Sequence, residues 1–315
     1  MNDKRLRVVV LDGGYDNYDT ERRVLADVGA GIELATGAVT VDGADALLVR
    51  ESPVTAAMMD RMPACRAIVR YGIGVDNIDR DAARVRKIYV VNVPDYGTEE
   101  VSDQALALVM AVARRVVTRD REVRDGAWNI GPAQKVYRLA GKTLGLIGYG
   151  RIAQAFERKM RGVGMARVMV FDPYATLPAG VEAAGVESIC READVVSMHA
   201  PLTPETRHIL DAQRIALLKP TAIVVNTSRG PLIDEVALVA ALRDERIFGA
   251  GLDVFESEPL GQDDPLLGLS NAVLSDHCGW YSEESVQDLQ RKAAEEVARI
   301  FRGEAPINWL NRWDS

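Results

Sequence analysis

The sequence predicts an α/β protein made of two doubly wound parallel-sheet units. Three observations carry this. Apolar runs of strand length alternate with helical stretches along the chain, the pattern of parallel strands joined by crossovers. At 315 residues the chain is long for one core and comfortable for two domains of ordinary size. It is 48% hydrophobic and 27% charged, as expected of a well-folded soluble protein.

Taken in order, Leu6–Leu11 reads as a buried strand ending in Asp12-Gly13-Gly14. Ala46–Val49 and Ala67–Val69 read the same way, each preceded by a helical stretch, and this first unit closes near Val93-Pro94-Asp95. A long helix follows from about Glu99 to Asp125, with Val101, Ala105, Leu108, Val109, Val112 and Val116 on its buried face. Asn129 to Lys142, containing Gly131-Pro132, is an irregular connection. The second unit starts with the strand Thr143–Ile147. It continues through Arg167–Phe171, Val195–His199, Ala222–Asn226, Gly249–Val254 and Val273–Ser275. A last helix spans about Glu283 to Arg302, with Val286, Leu289, Ala293, Val297 and Ile300 on one stripe and Gly303 as its stop.

Bulk charge excludes some functions. A net charge of −8 and a pI of about 5.1 argue against a nucleic-acid or anionic-membrane partner, which needs clustered Lys and Arg. Cys65, Cys190 and Cys278 are dispersed and odd in number, so neither zinc nor a disulfide framework is implied. The apolar run after Leu6-Arg7 is too short for a signal peptide, and Ala105–Ala113 is too short to span a bilayer. The expected location is the cytoplasm.

Chemistry enters at Gly148-Tyr149-Gly150-Arg151-Ile152-Ala153, which follows a strand and opens a helix. Gly148 allows a tight turn and Gly150 a close backbone approach, so that helix N–H groups can meet a pyrophosphate. By itself this spacing is equally that of a plain strand-to-helix turn. Asp172, 24 positions after Gly148 at the end of the next strand, favours the cofactor reading. A carboxylate there accepts the ribose hydroxyls of NAD and repels the extra phosphate of NADP. Both units are therefore expected to be Rossmann-like, with NAD on the second.

Three later strand ends carry polar residues that a scaffold does not need: Asn226-Thr227-Ser228-Arg229-Gly230, Asp253 to Glu258-Pro259, and Ser275-Asp276-His277-Cys278-Gly279-Trp280. An Arg, a Glu and a His at that edge fit reduction of a 2-oxo acid. Arg229 forks onto the carboxylate and polarises the carbonyl. His277 gives a proton to the carbonyl oxygen, and Glu258 orients it and favours its charged form. His199 is expected to be structural and His208 to lie on a helix surface. Cys278 reads as inert, with nothing besides the histidine to activate it. Trp280 either belongs to the core or walls the substrate pocket, where an indole would suit a medium-sized apolar side chain.

Taken together, these motifs resemble the D-isomer-specific 2-hydroxyacid dehydrogenases. The resemblance runs through Val69-Arg70-Tyr71-Gly72-Ile73-Gly74-Val75-Asp76-Asn77-Ile78-Asp79, Gly145 to Ala153, His199-Ala200-Pro201 to Thr206, and the Arg229, Glu258 and His277 segments. Within the family, Trp280 to Ser285 is similar to the C-terminal-binding-protein branch of NAD-binding co-repressors. Leu48-Val49-Arg50 and Arg70 look more like phosphoglycerate dehydrogenases. The resemblance implies NAD-dependent reduction of a 2-oxo acid to a D-2-hydroxy acid, with Arg229, Glu258 and His277 as the catalytic trio. The alternative it leaves is an NAD(H)-sensing co-repressor-like protein with incidental turnover.

It also implies that Asp253 holds the nicotinamide carboxamide and that Ala200, Pro201, Thr206, Thr227, Ser228 and Trp280 join the cofactor contacts. Gly72-Ile73-Gly74 would meet the substrate carboxylate with Arg70 beside it, and Trp280 would border the substrate. The implied architecture has a discontinuous substrate-binding domain, 1–98 with 282–315, a NAD-binding domain, 99–281, and a cleft between them. A homodimer through the NAD-binding domain is implied as well. Asp276 stands where the family usually has proline; it either favours the charged His277 or faces solvent.

Overall fold

The computed structural model describes residues 5–36, 40–128 and 134–313, and two compact units emerge from it. The first comprises Met1–Gly97 with Ser282–Ser315, and the second Thr98–Tyr281. The predicted Gly131-Pro132 connection lies outside the described residues.

Five parallel strands make the sheet of the first unit: β1 (Leu6–Val10), β2 (Ala30–Leu34), β3 (Ala46–Val49), β4 (Ala67–Arg70) and β5 (Tyr89–Val91), in the order β2-β1-β3-β4-β5. The sequence reading missed β2 and β5. β2 stands where a helix was expected before β3, and its mixed burial hides it from a search for continuous apolar runs. A polar node ties this unit together. Glu21, fully buried on the helix Asp19–Ala26, accepts hydrogen bonds from the Tyr71 hydroxyl (2.7 Å) and from Gln290 Nε2 (3.0 Å) on the helix Glu283–Phe301. Burial pushes the Glu21 carboxyl up. The helix Glu283–Phe301 starts with a capping box, since Ser282 and Ser285 each accept the other's backbone N–H.

The second unit holds β6 (Thr143–Ile147), β7 (Arg167–Phe171), β8 (Glu182–Ala183), β9 (Val195–Met198), β10 (Ile223–Asn226), β11 (Gly249–Leu252) and β12 (Ala272–Leu274). All pairs are parallel, in the order β12-β11-β10-β9-β6-β7-β8. The chain therefore winds outward from β6 in one direction and from β9 in the other, the doubly wound topology with its switch point between them. Buried residues fill both faces of the sheet.

The expected single helix from Glu99 to Asp125 is two helices, Thr98–Arg114 and Val116–Arg124. Arg115 breaks it by adopting a left-handed backbone, φ 53°. That conformation costs a non-glycine residue about 1–2 kcal/mol. The Arg115 side chain offsets it, stacking 4.8 Å over the Phe248 ring and donating from Nε to the Lys135 carbonyl (3.1 Å). Val116, read as buried, is 55% exposed as a result. Among the described residues no helix is long and apolar enough to cross a membrane.

Candidate active site

Gly148 leaves β6 at the switch point, beneath the end of β9. A Cβ on Gly148 would lie 2.5 Å from the backbone nitrogen of Ala200, and its φ of +93° is strained for any other residue. Gly150 starts the helix Arg151–Val163 with no side-chain cap, and a Cβ placed on it would meet nothing within 4 Å. Uncapped helix N–H groups facing open space are what a pyrophosphate needs. The residues present fit the dinucleotide.

Tyr149 was expected among the cofactor contacts, but its side chain turns into the core, where the hydroxyl donates to Glu157. Only its backbone serves the site, donating N–H to Asp172 Oδ2 (2.8 Å). The other oxygen of Asp172 accepts N–H from Tyr174 (2.9 Å) and Ala175 (3.0 Å). A carboxylate has about four acceptor sites. Three are spent holding this turn.

The segments after β9 and β10 brace each other. Ser228 Oγ donates to the Ala200 carbonyl (2.7 Å), and Thr206 Oγ1 to the Pro201 carbonyl (2.7 Å). Thr227 Oγ1 is enclosed, with no hydrogen-bond partner among the described residues. Asn226, which the sequence reading left without a role, shapes the next turn. Its side chain accepts the Ser228 N–H (3.0 Å) and donates to the Arg229 carbonyl (2.8 Å). Arg229 Nη1 is anchored on the Ser228 carbonyl at 2.7 Å.

Asp253 follows β11 and is 1% exposed. Its Oδ1 accepts from Ser275 Oγ (2.6 Å) and the Cys278 N–H (3.1 Å), and its Oδ2 from the Gly279 N–H (2.9 Å). Its carbonyl takes the His277 N–H (2.8 Å). The residue expected to meet the carboxamide is thus also the template of the His277 loop, and it holds His277 in a left-handed backbone, φ 57°. Gln104 on the helix Thr98–Arg114 extends the chain by donating to Ser275 Oγ (2.9 Å). No sequence signal marks Gln104, because its partner lies 171 positions away.

His277 Nδ1 lies 2.7 Å from Glu258 Oε2, while Glu258 Oε1 accepts the Phe255 N–H (2.9 Å). Partial burial raises the Glu258 carboxyl, but the bonds from His277 and Phe255 and the nearby Arg229 charge outweigh it. The net result is below the usual glutamate value. Ionised Glu258 can only accept, so His277 Nδ1 must be the donor and Nε2 is left for chemistry.

The neighbours of this pair fall into place. Burial, with Asp253 and Asp276 nearby, pushes the Cys278 thiol up to about 11, so it stays protonated at neutral pH. Asp276 is exposed. Trp280 is half-buried and packs edge-on against Tyr281, ring centroids 5.7 Å apart. His199 is structural, pushed down to about 3 by burial and bonded to Ser197 (2.9 Å). His208 sits in a turn with φ 50° and pairs with Glu256 (2.9 Å), not on a helix as expected.

In the first unit, Arg70 ends β4 and is 8% exposed. Its guanidinium lies so close over Gly72 that a Cβ there would be 1.4 Å from Nη1. The Gly72 N–H is spent on the Arg70 carbonyl (2.9 Å). Of the expected carboxylate loop, the Ile73 and Gly74 amides have no acceptor among the described residues.

A layout of this kind, with a phosphate cradle at the switch point and a carboxylate-paired imidazole along the same strand ends, is that of a dinucleotide-dependent oxidoreductase. Residues 106–279 match the family model for the D-isomer specific 2-hydroxyacid dehydrogenase, NAD binding domain. The chain is 42% identical over 280 residues to a glyoxylate reductase of Korarchaeum cryptofilum, covering 86% of this chain and 84% of that one. It is 39% identical over 303 residues to a D-3-phosphoglycerate dehydrogenase of Methanocaldococcus jannaschii, covering 92% of this chain and 57% of that longer enzyme. Among solved structures, the TT0316 protein of Thermus thermophilus superposes with a TM-score of 0.88 at 37% identity, over 97% of this chain and 100% of that one. The chain belongs to the D-isomer specific 2-hydroxyacid dehydrogenase family. It is an NAD-dependent dehydrogenase acting on 2-oxo and 2-hydroxy acids, and nothing in these likenesses supports the co-repressor alternative.

The packing at the switch point makes a direct prediction. Gly148→Ala must push the end of β9 away and strain its own φ, costing about 1–3 kcal/mol of stability. Thermal unfolding should show a melting temperature lower by several degrees, and NADH titration a weaker affinity. Unchanged values for both would show that the turn tolerates a side chain.

Proposed function

We propose that this enzyme reduces a small 2-oxo acid of the glyoxylate and hydroxypyruvate class to the D-2-hydroxy acid. The observation that carries it is the 2.7 Å bond between His277 Nδ1 and Glu258 Oε2, which leaves Nε2 as a proton donor. Supporting the substrate class are relatives at 37–42% identity whose names specify glyoxylate or hydroxypyruvate. They favour a smaller acid than the medium-sized apolar one read from Trp280.

When bound, NADH supplies a hydride to the substrate's carbonyl carbon. Gly148, Gly150, Arg151 and Ile152, with the Tyr149 backbone, hold its pyrophosphate. Asp172 takes a ribose hydroxyl. Ala200, Pro201, Thr206, Thr227, Ser228, Asp253 and Trp280 flank the rest. Arg229 binds and polarises the 2-oxo acid. His277 delivers its Nε2 proton to the carbonyl oxygen, and Glu258 keeps Nδ1 protonated and the ring oriented. The amides of Ile73 and Gly74, with Gly72 and Arg70 behind them, receive the substrate carboxylate. We further propose a cytoplasmic homodimer assembled through the second unit. Val116, Val123 and Trp128 support this, being 55%, 54% and 77% exposed on or beside the helix Val116–Arg124.

Steady-state assays with glyoxylate, hydroxypyruvate and phenylpyruvate test the substrate class, which fails if phenylpyruvate is the best of the three. In the same assays NADH should exceed NADPH by roughly 10- to 100-fold in kcat/KM. That corresponds to about 1.5–3 kcal/mol for one lost bond to a charged group. Equal efficiency would remove Asp172 from the ribose.

The dimer predicts a molar mass in light scattering near twice 34.4 kDa; a single-chain mass would overturn it.

The pairing of His277 with Glu258 fixes the sign of the pH dependence. Reduction needs the imidazolium, so its rate should fall as pH rises. Glu258, held below the usual glutamate value, remains an anion across the neutral range and supports that cation. Glu258→Gln removes the anion at hydrogen-bond distance and should therefore shift the falling limb to lower pH. A limb that stays put or moves upward, with hydride transfer rate-limiting, would refute the pairing.

A further inference from the structure

In the first unit, β3 and β4 end side by side, with Val49 paired to Arg70. The segment Arg50-Glu51-Ser52 therefore leaves the sheet next to the loop proposed to receive the substrate carboxylate. That segment is fixed from two sides. Asp12, just past β1, accepts the N–H groups of Arg50 (2.9 Å), Glu51 (3.0 Å) and Ser52 (3.0 Å) on a single oxygen, and the Ser52 hydroxyl on the other. Asn77 Nδ2 donates to the carbonyls of Arg50 (3.2 Å) and Ser52 (2.9 Å).

From this rigid turn Glu51 reaches across to Arg70. Its Oε1 accepts from Arg70 Nη2 at 2.9 Å, while its own side chain is 69% exposed. Arg70 is otherwise committed inward, with Nη1 on the Tyr71 carbonyl (2.7 Å) and Nε enclosed. A pair with one partner so exposed contributes little to stability. Electrostatically it matters more, because the outward edge of the guanidinium beside the loop already carries an anion.

We propose that Glu51 is a specificity-determining residue. It occupies the edge of Arg70 that a second anionic group on the substrate would use, and so selects 2-oxo acids with an uncharged distal end over phosphorylated ones. This rests on the proposal that the Gly72–Gly74 loop receives the substrate carboxylate. Like charges placed together disfavour the wrong ligand, as surely as added attraction favours the right one. Arg50, on the same turn and 5.3 Å over the Tyr15 ring, keeps a cation in the neighbourhood. Removing the Glu51 charge should therefore turn repulsion into attraction.

The test compares the wild type with Glu51→Gln and Glu51→Ser, using hydroxypyruvate and 3-phosphohydroxypyruvate with NADH. Thermal unfolding serves as the control for folding. The ratio of kcat/KM for the phosphorylated acid to that for hydroxypyruvate should rise about ten-fold or more in both variants. The gain should lie in KM for the phosphorylated acid and shrink with added salt. An unchanged ratio in folded variants, with the wild type reducing hydroxypyruvate, overturns the role of Glu51 alone. A wild type that reduces neither acid removes the substrate reading beneath it.

Discussion

Parallel pairing in the second sheet is the constraint on which the rest depends. Because all seven strands run the same way, every strand delivers its carboxyl end to one edge, and the residues of the site in this unit lie on the segments that follow such ends. Gly148 follows β6, Asp172 follows β7, Ala200 follows β9, Thr227 to Arg229 follow β10, and Asp253 follows β11. The register then decides which backbones touch. β6 pairs with β9 through Ile147 and Met198, so the turn at Gly148 must pass beneath Ala200, and only a residue without Cβ can do so.

At that edge the buried Asp253 carboxylate pairs the donors of the segment after β12. It gathers one hydroxyl and two amides from Ser275, Cys278 and Gly279, and its carbonyl adds the His277 amide. Burying a carboxylate is costly unless its acceptor sites are filled, and here the loop that carries His277 fills them. Cost and function are therefore coupled. The bonds that make Asp253 tolerable in the interior also force His277 into the left-handed conformation that turns its ring toward Glu258. Ser275 and Gln104 continue the same network back to the helix Thr98–Arg114.

Much of this was legible in the sequence, and the reasons are physical. Continuous apolar runs such as Ala46–Val49 betray strands buried on both faces, and the glycine spacing at 148 and 150 betrays a backbone needed close to a ligand. What escaped had no local signature. β2 is only partly buried, so its residues Ala30-Gly31-Ile32-Glu33-Leu34 show no apolar run. Arg115 is an ordinary helix former, and its break depends on Phe248 and Lys135, which are remote in the chain. Tyr149 stands inside a binding motif, yet its side chain answers to Glu157 one helical face away. Glu51 and Gln104 matter through single long-range bonds, and no spacing rule finds those.

Three glutamates show how far environment, rather than residue type, sets the chemistry. Glu21 is enclosed with two neutral donors, Tyr71 and Gln290, and burial wins: its carboxyl is pushed up. Glu258 is half-buried beside a histidine and near an arginine, and there the bonds from His277 and the Phe255 N–H, with the Arg229 charge, win, so it is held down. Glu51 is exposed and meets a nearly buried arginine, so its influence falls on whatever approaches that arginine. Exchanging the surroundings of the first two would reverse them. A glutamate paired only with neutral donors in the position of Glu258 would take up a proton more readily and lose its ability to stabilise an imidazolium. The catalytic value of Glu258 therefore lies in the bonds from His277 and the Phe255 N–H, with the Arg229 charge nearby, which keep it an anion in spite of its burial.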